Sequence, residues 1–122
     1  MHLDEALRLF SDRNKPNYRN SIKESISAVE HIVRKITGDT RLGYGLKELE
    51  KLKLIPPILK VAFEKLYAYT NDENGIRHAL MDDKENVTSK EAKFMLVACS
   101  AFINYLKMVD ADKKSKQKEL SD

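Results

Sequence analysis

An arginine and a histidine stand side by side, Arg77 and His78, in a polar segment over residues 70–83. A guanidinium group binds phosphate through a planar fork of N–H donors, and an imidazole transfers protons near neutral pH. Together they could cleave an RNA phosphodiester without a metal, with the histidine as general acid or base and the arginine stabilising the developing charge. The same pair also fits a structural role, in which Arg77 binds loop carbonyls and His78 caps a helix.

The remaining reactive side chains predict neither a metal site nor a cofactor. His78 and Asp82 are four residues apart, a spacing that could share a metal on a helix, but no second His or Cys lies nearby. Cys99 has apolar neighbours, which predicts a buried and unreactive thiol. We expect His31 to lie on the surface and His2 to have no role. The sequence has no glycine-rich phosphate loop, dinucleotide-binding fingerprint or zinc-ligand spacing.

A second polar group stands at the start of a predicted helix, where Arg19 and Asn20 precede Glu24 by about one turn. In an antiparallel bundle this end can lie beside the segment that carries Arg77 and His78. The five side chains would then form one polar cluster. The alternative is a network that only orients the two helix ends.

The composition favours one soluble helical domain. Of 122 residues, 42% are hydrophobic and 34% charged, and only 4 are Gly and 3 are Pro. The net charge of +3 is small for a domain that binds duplex nucleic acid strongly. No uninterrupted apolar run approaches the ~20 residues of a membrane span. The acidic N-terminal segment does not resemble a signal peptide, and there is one cysteine. We therefore expect a cytoplasmic protein without membrane association.

Hydrophobic periodicity and helix-end signals divide the chain into helices. The predicted segments are a short helix over residues 3–11, a long one over about 18–37, a shorter one around 46–52, a long one from 56 to about 70 and a last long one that begins after 88. Gly38 is a stop signal, Pro56 and Pro57 are a start signal, and Thr88 with Glu91 forms a capping box.

The same patterns predict which helix faces are buried. The expected core positions are Leu3, Leu7 and Phe10; Ile22, Ile26, Val29, Val33 and Ile36; Leu46, Leu49 and Leu52; Ile58, Leu59, Ala62, Phe63 and Leu66; and Phe94, Val97, Ala98, Ala101, Phe102, Tyr105 and Val109. Ser21, Ser25 and Ala28 are small enough to admit another helix at close range.

The predicted fold class is all-α: a compact antiparallel helical bundle of three long and one or two short helices. Residues 1–110 form its single domain. Residues 111–122 are charged and contain too few apolar side chains to offset the entropy of ordering. We expect them to be a flexible tail that frays or extends the last helix loosely.

Three runs of sequence resemble one family: YRNSIKESISAVEHI, AFEKLYAYTNDENGIRHALMDD and EAKFMLVACSAFINYL. They are similar to the C-terminal domain of AbiJ-type bacterial abortive-infection proteins, which belong to the HEPN (higher eukaryotes and prokaryotes nucleotide-binding) superfamily of helical bundles. The resemblance covers roughly residues 3–108. It implies a HEPN-like fold, a role in phage defence, a homodimer, RNA or a nucleotide as a partner, and an N-terminal effector domain when the chain is part of a longer protein.

The resemblance leaves two hypotheses for the activity. HEPN ribonucleases carry an Arg several residues before the His, usually with a polar residue after the Arg, whereas Arg77 and His78 are adjacent. In this chain the resemblance assigns the catalytic role of the family only to Arg77 and His78, with Asn74 as their polar partner. One hypothesis is a dimerising, regulatory interaction module linked to RNA targeting. The other is a metal-independent ribonuclease. The shortened spacing favours the module.

Overall fold

The computed structural model describes residues 2–12, 16–71 and 87–121. The regular secondary structure of these residues is helical. These residues contain no strand, so the all-helical prediction is confirmed for them. The five helices of the described residues are α1 (His2–Ser11), α2 (Tyr18–Thr37), α3 (Leu42–Lys51), α4 (Pro57–Asn71) and α5 (Ser89–Ser121).

The sequence signals at both ends of α2 correspond to capping interactions. The Asn17 side chain accepts a hydrogen bond from the Asn20 backbone N–H at 3.2 Å. At the other end Gly38 has φ 79°, a left-handed conformation that costs a residue without Cβ very little. Its N–H donates to the Arg34 carbonyl at 2.7 Å. Both ends of the helix are therefore fixed by local chemistry.

The beginnings of α4 and α5 also follow the predicted signals. Pro57 is the first residue of α4, where its missing N–H is not needed, and the Pro56 carbonyl accepts from Lys60 N–H at 3.0 Å. Before α5 the Thr88 N–H donates to a Glu91 carboxylate oxygen at 3.0 Å. The Thr88 hydroxyl oxygen accepts from Lys90 N–H at 3.2 Å. The capping box is confirmed.

The core lies between α2 and α5, with α1 and α3 packed around them. Its buried members are Ile22, Val29, Ile32, Val33, Leu42, Leu46, Leu49, Ile55, Val87, Ala92, Met95, Cys99, Phe102, Ile103 and Leu106. Helix α4 covers one side of this core with half-buried residues, and Phe63 stacks on Phe102 with an angle of 18° between the rings. Lys60 of α4 also pairs with Glu50 of α3 at 3.2 Å.

The small residues of α2 admit a helix of the same chain. Ser21 and Ser25 are fully buried, and the Ser21 hydroxyl donates to the Ala6 carbonyl of α1 at 2.6 Å. Without long side chains between them, α1 and α2 can approach closely enough for this bond. Because both serines are fully buried within the chain, they are not a surface on which a second protein could dock.

The predicted buried face of α5 is wrong in part. Phe94 and Val97 are 57% and 59% exposed, and Ala101 is also exposed. The face that enters the core carries Ala92, Met95, Cys99, Phe102, Ile103 and Leu106. The apolar side chains of α5 lie on more than one face of the helix, so the helical periodicity is compatible with burial of either face. Packing against α2 selects only one of them.

Three other stripes are also wrong, each at one or two positions. On α4, Ile58 is 85% exposed and Ala62 is exposed. Leu7 of α1 and Leu52 after α3 also point to solvent. Each lies at one edge of its apolar stripe or beyond the end of its helix, where the neighbouring helix does not reach.

Helix α5 continues far beyond the core. Among the α5 side chains that the structure describes, Leu106 is the last that is buried, and most side chains over residues 111–119 are exposed. The segment predicted as a tail is helical as far as Ser121.

Candidate functional site

The predicted catalytic pair cannot be placed in this structure. Arg77, His78 and Asn74 lie outside the described residues, and so does Asp82. Within residues 2–12, 16–71 and 87–121 no group of three or more His, Cys, Asp or Glu side chains could hold a metal ion.

The other half of the predicted polar cluster lies at the start of α2. Asn20 takes part in the helix cap through its backbone, and Arg19 is half-buried. Glu24 contacts the Nδ1 atom of His2 across the gap between α2 and α1. The sequence analysis did not predict this contact of His2. A contact between residues so distant in sequence left no local pattern from which to predict it.

Cys99 is the buried thiol that the sequence predicts. It is 1% exposed, and burial raises the pKa of its thiol to about 12. The reactive thiolate is scarcely populated near neutral pH, so Cys99 does not serve as a nucleophile.

The exposed face of α5 is an apolar stripe, most of which the sequence analysis assigned to the core. It consists of Phe94, Val97, Ala101 and Met108, which follow one another at helical spacings. Phe94, Val97 and Met108 are between 57% and 62% exposed. We call these four residues the α5 stripe.

Helix α4 adds apolar surface beside the N-terminal half of the α5 stripe. A groove of about 520 Å³ runs between the two helices, with Ala62 and Tyr69 on one side and Phe94 on the other. Lys65 and Lys90 lie at its edges. Ile58 and Val61, which are 85% and 46% exposed, lie on or beside the same face of α4.

We call the α5 stripe together with Ile58, Val61, Ala62 and Tyr69 the α4–α5 surface. Single apolar residues are common on protein surfaces, whereas larger exposed apolar patches are typical of interaction sites. The signal was present in the sequence, because α5 is apolar on more faces than one core contact requires.

One helix of the described residues is long and apolar enough to cross a membrane. Within Ser89–Glu119 a window of 18 residues has a mean hydropathy of 1.4, and 28% of that window is buried. A count of uninterrupted apolar residues misses this window. By itself it is weak evidence for a span, because the core helix of a water-soluble protein has the same length and composition.

We find no match to this chain among protein-family models, curated proteins or solved structures.

Proposed function

We propose that this chain is a HEPN-like antiparallel bundle of an abortive-infection system and acts as a dimerising, regulatory interaction module linked to RNA targeting. The observation that carries the interaction role is the exposed α5 stripe. The defence context, a nucleotide or RNA partner and an N-terminal effector domain rest on the resemblance of the three sequence runs. The α4–α5 surface binds a second copy of the chain.

The α5 stripe is complementary to itself. When two copies of α5 cross in opposite directions at Ala101, residues equally far from this alanine face one another. Phe94 and Met108 are each seven residues from Ala101, so each Phe94 meets the partner's Met108. Val97 meets the partner's Tyr105 in the same way. The small side chain at the centre lets the two helices approach, as a two-fold symmetric interface needs.

The ends of the α5 stripe carry opposite charges. Lys90 and Asp112 are exposed and each lies eleven residues from Ala101, on the face of the stripe. In the crossed arrangement each Lys90 lies near the partner's Asp112. This charge complementarity favours a second copy of the chain as the occupant of the surface. It also sets the register of the two helices.

Sedimentation equilibrium at micromolar concentration tests the dimer. The wild-type protein should have about twice the chain mass of 14.0 kDa. Phe94→Glu places a charge in the buried interface and should raise the dissociation constant by roughly tenfold or more. Leu7→Glu is the matched control, since Leu7 is an equally exposed apolar residue outside the surface. It should leave the mass unchanged.

A monomer at all concentrations would overturn the proposed self-association. Equal weakening by Phe94→Glu and Leu7→Glu would remove the α4–α5 surface as its site. Co-sedimentation of a monomer with lipid vesicles would assign this surface to a membrane instead.

A charge exchange tests the register. Lys90→Glu and Asp112→Lys should each weaken the dimer, because each places like charges side by side. The double variant restores opposite charges and should recover most of the affinity. Additive losses in the double variant would contradict the crossed arrangement.

Incubation with total RNA separates the module from the ribonuclease hypothesis. We expect the wild-type protein and His78→Ala to leave the RNA equally intact. Cleavage by the wild-type protein that disappears in both His78→Ala and Arg77→Lys would establish the ribonuclease instead, because lysine keeps the charge but lacks the fork that grips phosphate.

A further inference from the structure

A second cavity lies on another part of the molecule, between the first turn of α1, the middle and C-terminal parts of α2 and the second half of the core-forming part of α5. Its volume is about 620 Å³, which is within the range of roughly 300–1,000 Å³ typical of small-molecule sites. We call it the α1–α2–α5 cavity. None of the residues that line it belongs to the α4–α5 surface.

The cavity has an apolar floor. Leu3 of α1, Ala28 and Ile32 of α2, and Ile103 of α5 contribute to its wall. Ile32 and Ile103 are core residues, at 7% and 4% exposed, so the floor is held in place by the packing of α2 on α5. An apolar group of a ligand would lose water against these side chains.

Both acidic side chains at the cavity have a partner within the chain. Glu5 accepts two hydrogen bonds from the Arg8 guanidinium, at 3.0 and 2.5 Å, and the hydrogen bonds hold the pKa of Glu5 below its usual range. Glu24 is occupied by its contact with His2.

The lysines at the rim have no such partner. Lys35 of α2 and Lys107 of α5 line the cavity and are exposed. Among the residues that the structure describes, neither forms an ion pair. The rim therefore presents two lysines without an ion-pair partner above an apolar floor.

We propose that the α1–α2–α5 cavity binds a small amphipathic organic anion. The apolar body of the ligand lies on the floor, and its acidic group meets Lys35 and Lys107 at the rim. A purely apolar ligand would leave the charges unused, and a small inorganic anion would leave the floor unfilled. The site is independent of the dimer interface.

Titration calorimetry with three probes tests the two halves of the site. Decanoate carries both an apolar chain and a carboxylate, 1-decanol carries the chain without the charge, and acetate carries the charge without the chain. Decanoate should bind at least about tenfold more tightly than either of the others, since each half of the site contributes to the complex.

Variants locate the binding. Lys35→Gln combined with Lys107→Gln should weaken decanoate roughly tenfold and leave decanol nearly unchanged. Lys23→Gln combined with Lys51→Gln is the matched control, because it removes the same charge from two exposed positions that lie outside both the cavity and the α4–α5 surface. Ala28→Phe fills the cavity and should abolish binding of both ligands. Melting curves confirm that each variant is folded.

Three results would overturn the proposal. They are no binding of decanoate, an equal loss of decanoate affinity in the two lysine double variants, and decanoate affinity that survives in a folded Ala28→Phe protein. Binding of a nucleoside monophosphate without binding of decanoate would also contradict it, since that ligand is read by polar groups rather than by an apolar floor.

Discussion

Phe94 and Phe102 lie on the same helix but in opposite environments, at 57% and 2% exposed. Phe102 is enclosed by the core and stacks on Phe63. Its replacement by alanine should lower the free energy of unfolding by about 3–5 kcal/mol. Phe94→Ala should cost far less, because its ring is already largely hydrated.

Urea unfolding at a concentration low enough to keep the chain monomeric compares the two variants. Similar losses in both would mean that the stripe containing Phe94 is buried after all.

Glu91 gives the start of α5 a dependence on pH. The hydrogen bond from the Thr88 side chain holds the pKa of this carboxyl below its usual value of 4.5. The carboxylate therefore stabilises the folded state fully above the usual pKa, and the contribution is lost as pH falls through the lower folded value. The difference in unfolding free energy between wild type and Glu91→Gln should shrink between about pH 6 and pH 3.

The comparison is made by urea unfolding at several pH values. In a Thr88→Ala background the same difference should be smaller and vary less with pH, because the principal donor is gone. A wild-type difference that does not change with pH would exclude the capping role of the carboxylate.

At the scale of elements, α5 shows how far the sequence determines the fold. Its first residue could be predicted from the capping interactions of Thr88 and Glu91, because these interactions are local in sequence. The face that it buries does not, because two apolar stripes satisfy the same period and only the position of α2 decides between them.

The candidate sites could be predicted from the sequence only in part, for the same reason. The groups at the start of α2 were recognised as polar, but the contact between Glu24 and His2 depends on how α1 returns along α2. Part of the α4–α5 surface was assigned to the core, because the sequence pattern reflects apolarity and not exposure. Arg77 and His78 were identified by type and spacing, and they lie outside the described residues.

Helix α3 contains two glycines in contrasting surroundings. A Cβ at Gly45 would collide with a methyl group of Val33, which is 1% exposed, whereas a Cβ at Gly43 would meet nothing within 4 Å. Alanine is the better helix former by about 0.8–1.0 kcal/mol in a helix interior. Gly43→Ala should therefore stabilise the protein slightly, and Gly45→Ala should destabilise it by about 1–3 kcal/mol.

Thermal melting of the two variants gives the sign directly. A higher melting temperature for both variants would show that α2 and α3 are separated widely enough for a side chain at Gly45.

At the scale of the whole molecule, the net charge of +3 makes two copies repel one another weakly. Association through an apolar surface should therefore not weaken as sodium chloride screens this repulsion. Sodium sulfate should strengthen it further, because sulfate favours burial of apolar surface. Sedimentation equilibrium in the two salts provides the comparison, and dissociation at high chloride would indicate an interface held mainly by charge.

The length of α5 affects how the molecule moves through solution. Its 33 residues extend about 50 Å, whereas a compact chain of this size has a radius of gyration of about 14 Å. The part beyond Leu106 experiences drag from water on nearly all sides, so even a single copy should diffuse more slowly than a sphere of equal mass. On a gel-filtration column it should elute early, at a position that an elongated monomer and a compact dimer can share. Mass must be measured by a method that does not depend on friction.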